Sequence, residues 1–242
     1  MNVLHVVYAV LFGIGAYLLG SIPFALVIGK GFFGIDVRDH GSGNVGTTNV
    51  FRVLGKKAGI LVFIGDMAKG FVPAFLAAHL HLFAPWLVII LAMLPIIGHM
   101  YSIFLRGGGG KGVATGAAVV LALMWQVYVI LLVVWIVVLL VSRMVSLASI
   151  CSTVCFAPLT FVFHEPLAYS IAAILVTLGV LWAHRSNMRR LYLRCEERVT
   201  FPWNRRAAGG REDGREDERE GHDDVSGRGG IGGCGDISGR TA

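Results

Sequence analysis

The chain has 242 residues, of which 55% are hydrophobic and only 15% charged, with a formal net charge of +6 and a mean hydropathy of +0.71. A soluble globular domain carries about 25% charged residues, so this composition excludes that class. The apolar runs are continuous rather than alternating, which excludes a β-barrel, and no base-stacking aromatics interleave the basic clusters, which excludes nucleic acid as a partner. What is left is an all-α, polytopic integral membrane protein.

The first apolar run, 3–29, has no lysine or arginine before it, so it reads as an uncleaved first transmembrane helix and not as a signal peptide. Pro23 should kink it, and Ser21 is either a hydroxyl satisfying the kink or part of a site. Residues 30–57 are polar and hold a glycine-rich stretch, Gly41 to Arg52. Ser42, Asn44, Thr48 and Asn49 offer donors and acceptors there, and Arg52 a planar fork suited to phosphate or carboxylate, or all of this is a capped turn opening a helix at Thr48. The second membrane helix, 58–78, contains Asp66 and Lys69, three positions apart and so on one face, as an ion pair would require. The link 79–85 carries no lysine or arginine.

A third helix, 86–104, delivers Gly98 and His99 to the loop Gly107–Gly110, followed by Lys111 and Gly112. His99 either bonds a backbone carbonyl or orients part of a site. Glycines let backbone N–H groups approach a ligand closely, and a helix opening near Val113 would present its N-terminus beside the Lys111 ammonium. That combination suits a phosphate or is a plain interhelical turn. It is not the nucleotide P-loop, because Gly112 stands where that motif has Ser or Thr.

The run 113–142 would span ~45 Å as one helix, against a hydrocarbon core of about 30 Å. Placing Arg143 and the basic stretch His184–Arg190 in the cytoplasm requires a break near Met124–Gln126. With further runs at 145–162 and 167–183, this gives about seven transmembrane helices, some short, the N-terminus outside and the C-terminus cytoplasmic. Residues 1–202 form the membrane domain, and 203–242, rich in Gly, Arg, Glu and Asp, read as a disordered tail. Of the four cysteines, Cys151 and Cys155 are packing residues, and without a CxxC pair no zinc site is expected.

This topology puts three polar segments on one membrane face, and together they resemble the motifs of the bacterial acyl-phosphate:glycerol-3-phosphate acyltransferase family, PlsY. Asp36-Val37-Arg38 with Gly41 to Arg52 is similar to the first motif; Gly98-His99 with Gly109 to Thr115 to the second; His184-Arg185-Ser186-Asn187 with Arg190-Leu191 and Glu196 to the third. Gly20 to Pro23 and Asp66 to Gly70 also match, so the resemblance covers about 15–197. The chain departs from the pattern at Thr47, at Gly107 and Gly108, where the family commonly has an aromatic and a basic residue, and at Arg194. Arg106 is the nearest residue able to replace the missing charge.

The resemblance implies an enzyme that moves an acyl group from acyl phosphate to the 1-hydroxyl of glycerol 3-phosphate, without a cofactor, at the bacterial inner membrane. It implies catalytic roles for Ser42, Arg52, His184 and Asn187. Arg38, Asn44, Thr48, His99, Gly109, Gly110, Lys111, Gly112 and Arg190 would bind substrate, and Asp66, Lys69 and Glu196 would be structural. The hydroxyl proton passes either to His184 or to the departing phosphate oxygen. Membrane lipid and a soluble acyl-phosphate synthase are the implied partners. The rival reading is a transporter or channel for a phosphorylated small molecule, which would carry midplane charge and paired repeats; the sequence contains no such repeat.

Overall fold

The computed structural model describes residues 3–199, so the expected tail at 203–242 lies outside the described residues. Ten α-helices and two 3₁₀ turns make up the fold, and no strand occurs among the described residues. The first apolar run is not one kinked helix. It is broken into α1 (Val3–Ser21) and α2 (Phe24–Phe33) at Ile22-Pro23. Proline has no N–H to continue the ladder and its ring clashes with the preceding turn. At the break the Ile22 carbonyl accepts the Phe24 N–H at 3.1 Å and Lys69 Nζ at 2.8 Å. The Ser21 hydroxyl bonds back to the Tyr17 carbonyl at 2.9 Å, so it serves its own helix.

A 3₁₀ turn at Val37–Asp39 leads to α3 (Thr47–Val53), which opens one residue before the expected Thr48. α4 (Gly55–His79) carries Asp66 and Lys69. α5 (Pro85–Met100) stops short of the expected 104; Tyr101 leaves helical geometry and Ile103–Leu105 form the second 3₁₀ turn. Beyond the glycine loop come α6 (Val113–Leu123) and α7 (Trp125–Ser142), divided at Met124 as charge placement required. α8 (Val145–Val162), α9 (Leu167–Ala183) and α10 (Arg185–Tyr192) complete the chain, with a 59° bend between α9 and α10 at His184.

By length and composition five segments are able to cross a membrane: α1, α4, α5 with its 3₁₀ turn, α7 and α8, and a sixth if α9 and α10 form one bent span. The expected seven included short helices, and α2 and α6 are apolar but shorter. α6, with 11 residues, reaches only ~16 Å at about 1.5 Å per residue. Such a short helix needs protein around it to satisfy its ends. It has that: α6 packs along α4, Gly70 faces the Thr115 backbone, and the Thr115 hydroxyl donates to the Asp66 carbonyl at 3.1 Å. α1 runs along α5 with equal closeness, Gly20 lying on the Pro95 backbone. Small residues at crossings, which let backbones touch, are the usual packing device inside lipid. α7 stays exposed along Val133, Ile136, Val137 and Leu140, a face that only lipid can cover.

A methyl group at position 70 would strike the Thr115 carbonyl oxygen and stand 3.0 Å from its Cγ2. Gly70→Ala is expected to destabilise the protein by ~1–3 kcal/mol, the usual range for overpacking. Thermal unfolding in detergent checks this, and an unchanged midpoint would show that the crossing can open freely.

Candidate active site

The first polar segment folds around one side chain. Asn49, in α3 and 1% exposed, donates through Nδ2 to the Val37 carbonyl at 2.8 Å and to His40 at 3.1 Å. Its Oδ1 accepts the Ser42 N–H at 2.9 Å. The loop between them turns at Gly41 (φ +60°), where a side chain would collide with that same Oδ1. Among the described residues, the Ser42 hydroxyl, the Asn44 amide and the Thr48 hydroxyl have no hydrogen-bond partner. Arg38 behaves differently: its guanidinium grips Asp36 at 2.7 Å, where Lys30 Nζ also sits at 2.8 Å. Those two cations, Arg38 foremost, hold the Asp36 carboxyl well below the usual carboxylate range. The structure thus places Arg38, expected to bind substrate, in a pair with Asp36 within the first motif.

The glycine loop lies flat on the end of α5. The Gly110 N–H donates to the His99 carbonyl at 3.0 Å, and a side chain at Gly109 would strike the His99 and Met100 carbonyls. This sets Lys111 at the entrance to α6, whose N-cap is Gly112 at φ +79°. Lys111 Nζ donates to Asn187 Oδ1 at 2.6 Å. Asn187 Nδ2 donates to Glu196 Oε1 at 2.7 Å, and Arg190 Nε to Glu196 Oε2 at 2.7 Å. Arg52 pairs with the next residue, Glu197. Arg52 and Arg190 thus each hold a carboxylate, Lys111 is linked to Glu196 through Asn187, and each expected motif contributes one of the three cations.

Burial pushes the Lys111 ammonium down to about 8; the Glu196 charge opposes this, and Arg190 and Arg52 reinforce it. Burial also disfavours the Glu196 carboxylate, yet Asn187 and Arg190, both bonded to it, help outweigh burial and keep that carboxyl below its ordinary range. His184, 2% exposed, sits on the α9–α10 bend with Nδ1 2.8 Å from the Val180 carbonyl. A carbonyl can only accept, so Nδ1 carries the proton and Nε2 keeps its lone pair.

His99 faces away from this cluster, toward Asp66, with Nδ1 3.6 Å from Asp66 Oδ1. Asp66 pairs with Lys69 at 2.8 Å, both buried, as the sequence spacing implied. Arg106 is exposed, at φ +51°, and makes no bond to the cluster. Sequence reasoning missed three groups: Glu197, the partner of Arg52; Ser146, a buried hydroxyl beside Glu196; and Thr47, whose buried Oγ1 has no hydrogen-bond partner. The only signal was indirect: Glu197 follows a motif glutamate, and Thr47 is a departure from the family pattern.

Among the described residues no group of three or more His, Cys, Asp or Glu side chains is placed to hold a metal. The arrangement suits anions: a cationic patch, an amide and a glycine loop before a helix N-terminus.

The family model described as glycerol-3-phosphate acyltransferase matches residues 10–194. A glycerol-3-phosphate acyltransferase of Geobacillus kaustophilus is 42% identical over 190 residues, 78% of this chain and 95% of the relative. One of Aquifex aeolicus is 43% identical over 183 residues, covering 76% and 95%. Among solved structures, the glycerol 3-phosphate form of PlsY (YgiH), an integral membrane glycerol 3-phosphate acyltransferase, matches with a TM-score of 0.77 at 42% identity, over 80% of this chain and 96% of that one. Its lysophosphatidic acid form matches with a TM-score of 0.74 at 41% identity, over the same shares. With its three motifs converging on one cationic cluster, this multi-pass membrane chain belongs to the glycerol-3-phosphate acyltransferase family.

Proposed function

We propose that the protein transfers an acyl group from an acyl phosphate to the 1-hydroxyl of sn-glycerol 3-phosphate, at the cytoplasmic face of the bacterial inner membrane. The observation that carries this reading is the meeting of Arg52, Lys111 and Arg190, from three distant segments, around only two carboxylates. Both substrates carry phosphate, and their mutual repulsion must be countered where they meet. Lys111 and Arg52 take the glycerol 3-phosphate headgroup, with Ser42 and Asn44 positioning phosphate oxygens. Asn187, held by Glu196, orients Lys111. The glycerol oxygen forms a bond to the acyl carbon, and the bond from that carbon to the phosphate oxygen breaks. Lysophosphatidic acid and inorganic phosphate leave.

The donor is already activated, so no covalent enzyme intermediate is needed. His184 Nε2, left unprotonated by the Nδ1 contact to Val180, is the acceptor for the hydroxyl proton. The fatty chains stay among the helices, which is why the catalyst resides in lipid. A soluble acyl-phosphate synthase would supply the donor. The transporter reading has no support in the family match.

Purified protein in detergent is expected to form lysophosphatidic acid from palmitoyl phosphate and labelled glycerol 3-phosphate, with palmitoyl-CoA inert. Lys111→Ala and His184→Ala should each cost about 10²–10³ in kcat/KM. Equal turnover of palmitoyl-CoA overturns the donor assignment; full activity in Lys111→Ala overturns the site.

The lowered Lys111 value fixes a pH dependence. The cation is present below about 8 and lost as pH rises through that value. Accordingly kcat/KM for glycerol 3-phosphate should fall above pH ~8, since it reports the free enzyme. Lys111→Arg keeps its charge throughout and should abolish the alkaline fall, whatever its absolute rate.

Glu197 is 60% exposed and competes with substrate for Arg52. An exposed pair contributes about 0.2–1 kcal/mol, so Glu197→Gln should lower KM for glycerol 3-phosphate by roughly two- to fivefold at most. A raised KM would mean that Glu197 holds Arg52 in place instead of occupying it.

A further inference from the structure

We infer that His99 is a positioning residue: its imidazole ring, set against Asp66, is the rest on which the glycine loop lies, and it thereby fixes where Lys111 meets phosphate. This rests on the function proposed above and assigns His99 a task other than holding substrate.

His99 is 7% exposed. A Cβ built at Gly110 would strike its Nε2 and stand 2.9 Å from Cε1 and 3.2 Å from Cδ2, so the ring lies directly beneath that glycine. The adjoining cavity, bounded by Lys69, His99, Ser102, Gly109 and Gly110, has a volume of only about 10 Å³. That is room for about one water molecule, far too little for a phosphate. The ring therefore supports the loop from below and does not reach a headgroup through it.

The ring's other side faces Asp66, 3.6 Å from Nδ1, which has no hydrogen bond of its own. Asp66 is itself held: Lys69 pairs with it at 2.8 Å, and Lys69 is tied to the Ile22 carbonyl at 2.8 Å. Its carbonyl also accepts the Thr115 hydroxyl at 3.1 Å. Lys111 thus lies between two contacts that both lead to Asp66. Gly110, just before it, rests on His99, and Thr115, one helical turn after it, bonds the Asp66 backbone. The ammonium inherits its place from that carboxylate residue through two routes, and His99 is the one that bears on the loop.

The test is steady-state kinetics with palmitoyl phosphate and glycerol 3-phosphate. His99→Ala is expected to raise KM for glycerol 3-phosphate about tenfold or more, a typical cost of misplacing a binding group, while KM for palmitoyl phosphate and kcat change less than about threefold. A merely destabilised protein would lose apparent kcat and keep its KM. Gly110→Ala should raise the same KM, because its methyl meets the ring. The double variant His99→Ala/Gly110→Ala, in which the methyl enters the space the ring vacates, should show a lower KM than either single variant. His99→Gln, which keeps much of the bulk, should lie between His99→Ala and the parent and serves if His99→Ala does not fold.

A parental KM in both His99 variants overturns the inference. So does a double variant whose KM rises by the product of the two single effects, since contacts that act through each other are not additive. Parent protein inactive toward both substrates would instead sink the proposed function.

Discussion

An ion pair buried where lipid surrounds the protein sets the geometry of this molecule. Asp66 and Lys69 sit at 2.8 Å with side chains 3% and 2% exposed. A lone charge there would be prohibitively costly, and even a pair is retained only where further bonds satisfy it. Those further bonds are the architecture. Lys69 bonds the Ile22 carbonyl at the break between α1 and α2, the Asp66 backbone carbonyl receives Thr115 from α6, and His99 from α5 stands against the Asp66 carboxylate. Four elements that are distant in sequence are indexed to one turn of α4. Removing either charge alone would strand its partner, so the pair is both anchor and liability.

The site above this anchor inverts the usual balance. Most carboxylates near arginines neutralise them, but here two carboxylates serve three cations, and Lys111 is held where burial already weakens its charge. Under the proposed function a cluster in that condition gains when an anion enters: an incoming phosphate would restore the ammonium's preference for its proton and replace the exposed Glu197 on Arg52. The buried Glu196 stays, because it binds Asn187 and Arg190 from a single carboxylate and so keeps two donors aimed. The two glutamates, adjacent in sequence, have opposite consequences for the ligand because one is buried and the other is exposed.

Backbone events were legible in the chain because proline, glycine and apolar length act locally. The break at Met124 followed from a run too long for a bilayer, and the Asp66–Lys69 pair from a spacing of three. The same local signal understated Pro23, which divides the first run instead of bending it; the lysine that bonds the Ile22 carbonyl at the break comes from α4, far along the chain. Side-chain partners were far less legible. Arg38 and Arg52 look alike in the first motif, yet Arg38 turns to Asp36, two residues away, and Arg52 reaches Glu197 from the far end of the membrane domain. Nothing in the local pattern distinguishes them. Asn49 looked like one donor among several and is the pin around which the loop closes, a role set by three backbone groups brought together by folding.

The glycine loop shows why a motif's residues must be separated by physical task. Gly109 and Gly110 are required by space, since any side chain would enter the end of α5 or the His99 ring. Gly107 is required by conformation: at φ +88° an aromatic residue, the family's common choice there, would be strained. Gly108 is held by neither constraint; its nearest neighbour for an added Cβ is the Leu105 carbonyl at 3.4 Å, an ordinary contact. The missing basic residue at 108 therefore reflects no steric demand, whereas an aromatic at 107 would have to take a left-handed backbone. Arg106, left-handed and exposed beside that path, is not recruited in compensation. The cationic cluster is built from Arg52 in α3, Arg190 in α10 and Lys111, which follows the four glycines, so the glycines contribute shape and the charge comes from residues beyond them.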